Sequence, residues 1–359
     1  MNKKAALFLA ALLTICFIPT AYSQTGAAVT VHFIDVGQGD NTSDRDVLID
    51  GGSATATQTV LEYLADLNIT HIHLVIATHA HEDHIGGLVG ILDSTLTIDT
   101  VLYNNQTYTS ATYNKFITNA QTHNLTAAQR GQVYILTETA NLTILNPVQP
   151  NEFGDQNDNS VVTKLQAGKT TFLFMGDAEE PAEQSMLISS VASIKCDLLK
   201  VGHHGSSTAT SQTFLDIADP KYVVISAGQD NSYGHPHNIT IQKLLTKGVK
   251  VYTTIASGTI VAQTDGTTLT FQNNPQPIPE IPQNMITPLF AATTLLTIII
   301  YRKKLQNTHK QQSPSLPFYT KKCQCTLLAL EQTAKAKHPA RTPYPNLACS
   351  PPPHPYHRL

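Results

Sequence analysis

The sequence predicts an α/β fold of the α+β kind, in which two mixed β-sheets carry helices on their outer faces. Three observations predict it. Short strand-like runs alternate with amphipathic helical segments from residue 29 to residue 272, several of the runs are followed directly by glycine, and the chemistry-bearing residues fall just past them. Strand C-terminal ends are where α/β folds place their ligands.

Residues 29–36 and 47–50 read as strands, followed by a helix over 57–67 with Val60, Leu61, Leu64 and Leu67 on one face. A strand over 73–78 precedes a helix over 85–92. A strand at 100–103, a helix at 112–123 and strands at 133–136 and 142–145 come next. After a polar loop over 146–159, strands at 161–166 and 171–175 form a hairpin through Ala167-Gly168-Lys169. Helices at 181–190, 210–217 and 240–246 then alternate with strands at 197–201 and 222–226. Strands at 249–253, 258–263 and 268–272 close the domain, the last turn being Asp265-Gly266.

Composition divides the 359 residues further. Lys3 and Lys4, an apolar run and Ala21-Tyr22-Ser23 read as a signal peptide over 1–23. The folded domain occupies 24–273 and a proline-rich linker 274–284. An apolar run over 285–301 before Arg302-Lys303-Lys304 reads as a transmembrane anchor, and 302–359 as a basic, proline-rich, disordered tail. The localisation expected from these features is an exported chain on the extracytoplasmic face of the membrane, held by one C-terminal helix. Residues 24–280 hold 25 acidic against 11 basic residues, which argues against a non-specific grip on nucleic acid. Among the five cysteines only Cys196 lies in the domain, so core and any bound metal must stabilise it without disulfides. No feature identifies a protein partner.

The most informative run is T-H-A-H-E-D-H-I-G-G at 78–87. His79, His81, Asp83 and His84 offer imidazole nitrogens and carboxylate oxygens suited to zinc or a similar divalent ion. Chance would produce the H-x-H-x-D-H pattern in on the order of one such chain per thousand. The spacing places these residues on the loop after the strand at 73–78.

Later strand ends add candidates. Asp177, after F-L-F-M-G, could bridge two cations; beside the histidine motif that reading outweighs a helix N-cap. His203 and His204 sit between glycines in L-K-V-G-H-H-G-S, as metal ligands or as donors to a phosphoryl oxygen. His235, in N-S-Y-G-H-P-H, reads as a ligand, with His237 as its supporting neighbour. Asp40 and Asp50, in G-Q-G-D and L-I-D-G-G, are placed to hydrogen-bond a ligand histidine. His32, His71, His73 and His123 lie on strands or helices without such company and read as ordinary structural residues.

In order, F-I-D-V-G-Q-G-D, L-I-D-G-G, T-H-A-H-E-D-H-I-G-G, N-D-N-S-V-V, F-L-F-M-G-D-A-E, L-K-V-G-H-H-G-S and Y-G-H-P-H cover residues 29–272. The set resembles the metallo-beta-lactamase fold hydrolases, and among them the C-terminal domain of the competence protein ComEC. The resemblance implies a four-layer αββα sandwich with two divalent metal ions, zinc or manganese, between the sheets. It implies His79 and His81 on one metal, Asp83, His84 and His235 on the other, and Asp177 as the bridge. Two departures stand out. No histidine other than His123 lies between His84 and Asp177, so Asn159 or water would assist the first metal, and the polar stretch 41–46 truncates the first hairpin. The stretch before the first motif is too short for ComEC's channel region, so the expectation is a free-standing exported domain.

The function these residues imply is metal-dependent hydrolysis by a metal-bridged hydroxide, with Asp83 orienting the nucleophile and His203 or His204 assisting the leaving oxygen. The resemblance to ComEC-like proteins implies a phosphodiester as the substrate, small or surface-attached, with nucleic acid a further candidate. A lactone or ester hydrolase and a non-catalytic surface binding protein are the alternatives.

Overall fold

In a computed structural model the described residues are 29–35, 40–42, 45–189, 191–229, 231–272 and 275–278. The strands are β1 (Val29–Phe33), β2 (Asp40–Thr42), β3 (Val47–Ile49), β4 (His71–Ala77), β5 (Thr97–Tyr103), β6 (Asn124–Ala127), β7 (Val133–Ile135) and β8 (Ala140–Asn146), then β9 (Val162–Ala167), β10 (Thr170–Phe174), β11 (Leu198–Lys200), β12 (Tyr222–Ile225), β13 (Lys250–Thr253), β14 (Ile260–Thr264) and β15 (Leu269–Gln272). The helices are α1 (Thr57–Asp66), α2 (Glu82–Leu92), α3 (Ala111–Ala120), α4 (Glu180–Ile188), α5 (Gln212–Ala218), α6 (Asn238–Lys247) and the single turn α7 (Thr254–Ser257).

Two mixed sheets result. One runs β15-β14-β1-β2-β3-β4-β5-β6 and the other β13-β12-β11-β10-β9-β8-β7. The pairs β3-β4-β5-β6 and β10-β11-β12-β13 are parallel. Every other neighbouring pair is antiparallel.

Alternation along the strands divides the interior into three cores. Phe172 and Phe174 of β10 face Val31, Phe33 and Ile76 of the other sheet, while Leu173 between them packs under the helices. Successive strand residues point to opposite faces, so both faces of β10 must be apolar. Leu173, Leu199 and Val223 meet Met186, Phe214 and Leu244 of α4, α5 and α6. On the opposite side, Val75 and Val101 meet Val60, Leu64, Leu88 and Phe116 of α1, α2 and α3. The result is the αββα sandwich the resemblance implies.

The parallel strands position the site. The chain just past the C-terminal ends of β3, β4, β10, β11 and β12 carries Asp50, His79, Asp177, His203 with His204, and His235. α2 packs so closely on the loop after β3 that a Cβ on Gly87 would overlap the Gly51 carbonyl. The first hairpin is short but present, as β2 pairs with both β1 and β3.

The expected localisation is corrected. Among the described residues no helix is long and apolar enough to cross a membrane. The longest, α2, has 11 residues, about 16 Å against a hydrocarbon core of about 30 Å. The segments read as signal peptide, transmembrane anchor and tail lie outside the described residues, as does most of the linker; in its described part Ile278 N donates to the Val251 carbonyl.

Candidate metal centre

α2 starts earlier than its apolar pattern suggests, at Glu82 with His81 as N-cap, so Asp83 and His84 sit in its first turn and not on a loop. Glu82 and Asp83 suit that position because carboxylates favour a helix N-terminus. The His81 carbonyl accepts from His84 N and Ile85 N, which fixes the turn.

Asp177 lies at the middle of the cluster and is buried. Its Oδ2 is 3.2 Å from His84 Nε2, 3.7 Å from His203 Nε2 and 3.8 Å from His79 Nε2, and its Oδ1 is 3.2 Å from His204 Nε2. His84 Nε2 and His204 Nε2 are 3.1 Å apart, and His79 Nε2 is 3.0 Å from His81 Nδ1. Asp83 Oδ2 stands 3.8 Å from His204 Nε2, on a side chain open to solvent. Gly176 makes the approach possible: it has φ +54°, and a Cβ there would press on Thr78 and Ser160.

Asp50 organises the first half of the cluster. Its backbone is left-handed, at φ +58°. Its Oδ2 accepts from His84 Nδ1 at 2.7 Å and from the Thr78 hydroxyl at 2.8 Å, and its Oδ1 accepts from Thr78 N at 2.8 Å. His84 Nε2 is thereby turned toward Asp177. On the other side His204 Nδ1 donates to the Ser226 carbonyl at 3.1 Å, which points its Nε2 inward. His203 Nδ1 donates to Glu179 Oε1 at 2.7 Å. Both His203 and His204 have positive φ, a strained conformation that persists only where surroundings impose it.

Burial opposes charge on His84, but Asp177 and Asp50 outweigh it and hold its pKa well above the ordinary histidine value. Burial and the neighbouring His84 push His79 well below that value. Burial would raise Asp177, yet His204 and His84 draw it well below the usual carboxylate range. Burial, with His203, His204 and His237 adding to it, pushes His235 down to about 4, so its ring is neutral near pH 7.

The residues fit divalent metal. Ligand atoms sharing one tetrahedral ion with bonds of about 2.0–2.1 Å lie roughly 3.3 Å apart. The separations of 3.1 and 3.2 Å among His84 Nε2, His204 Nε2 and the Asp177 oxygens are close to that. Asp177 Oδ1, although near His204, has no donor in hydrogen-bonding geometry. Two sets of ligand atoms each gather within 4.8 Å, one from His79, His84 and Asp177 and the other from Asp83, His84 and His204.

His235 is at the rim, its ring 5.3 Å from that of His203 and 6.2 Å from that of His204. His237 Nδ1 accepts from Ser207 N at 2.9 Å, tethering the histidine loop to the His235 loop. Asn159 is not brought to the cluster; its amide donates to Gln106, Phe153 and Asp155 and ties up the loop before β9. Its neighbour Ser160 is there instead, with Oγ accepting from Asp177 N at 3.1 Å and lying 3.4 Å from His79 Nδ1. The backbone of Asp40 pairs within β2, and its side chain lies outside the described residues. His123 contacts the Leu92 carbonyl, away from the site.

Sequence reasoning also passed over Thr78, Ser160, Glu179, Tyr108 and Tyr233. Thr78, Ser160, Glu179 and Tyr233 lie inside quoted motifs within two residues of a ligand candidate, which is the signal that could have found them; Tyr108 carries none. A cavity of about 510 Å³ opens over the cluster, lined by His81, Glu82, Asp83, Tyr108, Asp177, His203, His204, Tyr233 and His235. No lysine or arginine is among these lining residues.

A model of the metallo-beta-lactamase superfamily matches residues 28–229. The chain is 28% identical over 272 residues to ComE operon protein 3 of Bacillus subtilis, covering 69% of this chain and 34% of that protein. It is 29% identical over 251 residues to competence protein ComA of Neisseria gonorrhoeae, covering 68% and 33%. The chain thus spans about a third of the length of these curated relatives. Among solved structures it is similar to the metallo-beta-lactamase fold protein YhfI from Bacillus subtilis, at 15% identity and TM-score 0.44, covering 66% of this chain and 100% of that one.

Proposed function

The chain belongs to the metallo-beta-lactamase superfamily, and we propose that it is a metal-dependent phosphodiester hydrolase of ComEC-like type with a dinuclear zinc or manganese centre. The observation that carries this reading is the convergence of His79, His84, His203 and His204 on the buried Asp177 carboxylate. His79 and His81 would hold one ion, Asp83, His84 and His235 the other, and Asp177 would serve both; His204 is near enough to join the second set.

When bound, such ions supply a water of lowered pKa and offset charge on the attacked group. The chain's own residues do the rest. Asp50 holds His84 in the tautomer that presents Nε2 inward. Asp83, open to the cavity, orients the attacking water. His203, its ring set by Glu179, presents Nε2 to the substrate and donates to the leaving oxygen.

The cavity lining supports a diester over a phosphomonoester or polyphosphate. With no lysine or arginine among the described lining residues, a doubly charged phosphate would meet Glu82 and Asp83 with few compensating groups, whereas a diester brings one charge. The acidic domain favours a small or surface-attached diester, with nucleic acid a further candidate.

The full-length chain, supplied with manganese or zinc, is to be assayed on bis-p-nitrophenyl phosphate, p-nitrophenyl phosphate, single-stranded DNA and a lactone panel. Diester cleavage with little monoester cleavage is expected. Turnover of lactones alone would overturn the substrate class, and no turnover at all the hydrolase reading.

A further inference from the structure

The opposite end of β4 carries a second cluster. His71 and His73, two apart on the strand, stack their rings with centroids 4.2 Å apart and planes at 30°. Asp99 reaches over from the parallel neighbour β5, its Oδ1 2.8 Å from His71 Nε2. One ligand atom from each of the three lies within 4.8 Å of the others.

We propose that His71, His73 and Asp99 form a separate binding site for one divalent transition-metal ion of the zinc type. Eight residue-to-residue steps, most of them along β4, lead from His71 to His79, so this site is roughly 26 Å from the hydrolase centre. Two imidazoles and a carboxylate suit zinc, nickel or copper; magnesium and calcium prefer all-oxygen shells. The partial exposure of His71 and Asp99 gives an ion a route in and leaves water to complete its shell.

A plain histidine–carboxylate pair accounts for the contact between His71 and Asp99 but not for His73. His73 Nδ1 is shielded from water and has no hydrogen-bond partner, a cost that a structural histidine normally avoids. Two stacked imidazoles beside one carboxylate are also an arrangement that an ion holds better than a single shared proton. Sequence alone gave no hint, because Asp99 is remote in the chain and enters only through the pairing of β4 with β5. An ion here would link these two strands, one of which leads directly into His79.

The test is zinc uptake by the full-length chain, measured by equilibrium dialysis against buffered free zinc. His73→Ala should take up one equivalent fewer than wild type. Asp99→Asn, altering an exposed side chain, should weaken that equivalent at least tenfold while leaving hydrolase activity unchanged. Asp177→Asn should disturb the hydrolase centre and retain the distal equivalent, so that failure of one site is distinguishable from failure of the other. Identical zinc uptake by wild type, His73→Ala and Asp99→Asn would overturn the proposal; should His73→Ala not fold, Asp99→Asn and His71→Asn decide it.

Discussion

Replacing Asp50 by asparagine isolates how the chain prepares its metal ligands. Asparagine keeps the shape and tolerates the left-handed backbone at φ +58°. Its orientation is dictated by Thr78 N, which donates to Oδ1 at 2.8 Å: an amide NH₂ there would set donor against donor, so the carbonyl must occupy that position. The NH₂ then faces His84 Nδ1, 2.7 Å away in the wild type. His84 can meet it only by accepting at Nδ1, which moves its proton to Nε2 and takes that nitrogen away from a metal. Loss of such a supporting partner typically costs 10–100-fold in metal affinity, about 1.4–2.7 kcal/mol. The assay is zinc competition against a chromophoric chelator, with phosphodiesterase activity and thermal unfolding followed in parallel. Wild-type zinc affinity and turnover in a folded Asp50→Asn protein would refute the reasoning that His84 is a ligand oriented by Asp50.

Further outcomes follow from other residues. Tyr233 is exposed and stacks on His235 with ring centroids 5.8 Å apart, so Tyr233→Ala should raise KM for aromatic and nucleotide diesters severalfold and leave kcat within about twofold, as expected for a lost stacking contact of about 1 kcal/mol; equal kinetics with both residues would exclude Tyr233 from substrate binding. Asp197, which burial would raise, is held below the usual carboxylate range by Lys221 and by Thr171 N and Oγ1. A depressed pKa contributes stability above the unfolded value near 4 that is lost as pH falls through the folded value, so Asp197→Ala should cost about 1 kcal/mol at pH 7 and progressively less below pH 4, measured by urea unfolding. Cys196 is buried and its thiol is pushed up to about 12 by that burial, so a thiol reagent at pH 8 should modify it only on unfolding; prompt labelling of Cys196 in the native chain would contradict its placement.

What the sequence disclosed follows from which forces act locally. β10 and β4 were legible because strands buried on both faces are near-continuous apolar runs, as in Phe172 to Phe174 and Leu74 to Ala77. β2 and β6 were not, because Asp40–Thr42 and Asn124–Ala127 are short, polar segments recruited by pairing with neighbouring strands. The start of α2 was misplaced for a similar reason: hydrophobic periodicity begins at Ile85, whereas the turn begins at Glu82 through backbone bonds to His81.

Within the site, Asp50 could be anticipated as a partner of a ligand histidine because its glycine-flanked turn abuts the strand that leads to His79. Ser160 could not be separated from Asn159, since adjacent residues point in different directions and only the packing against Gly176 decides which side chain meets Asp177. Tyr108 was beyond reach because nothing local marks an exposed tyrosine as the wall of a cavity, whereas Tyr233 shares its motif with His235. His71 and His73 read as ordinary strand residues until pairing brought Asp99 beside them.

The central claim is that the groups around Asp177 hold the metal on which hydrolysis depends. It is tested most directly by measuring metal content and bis-p-nitrophenyl phosphate turnover together, on the same full-length preparation, before chelation, after chelation and after graded return of zinc or manganese, with Asp177→Asn alongside. Turnover should vanish with the metal, return in proportion to ions bound up to about two at this centre, and remain absent in Asp177→Asn. Turnover that survives complete chelation, or that Asp177→Asn leaves intact, would contradict the account.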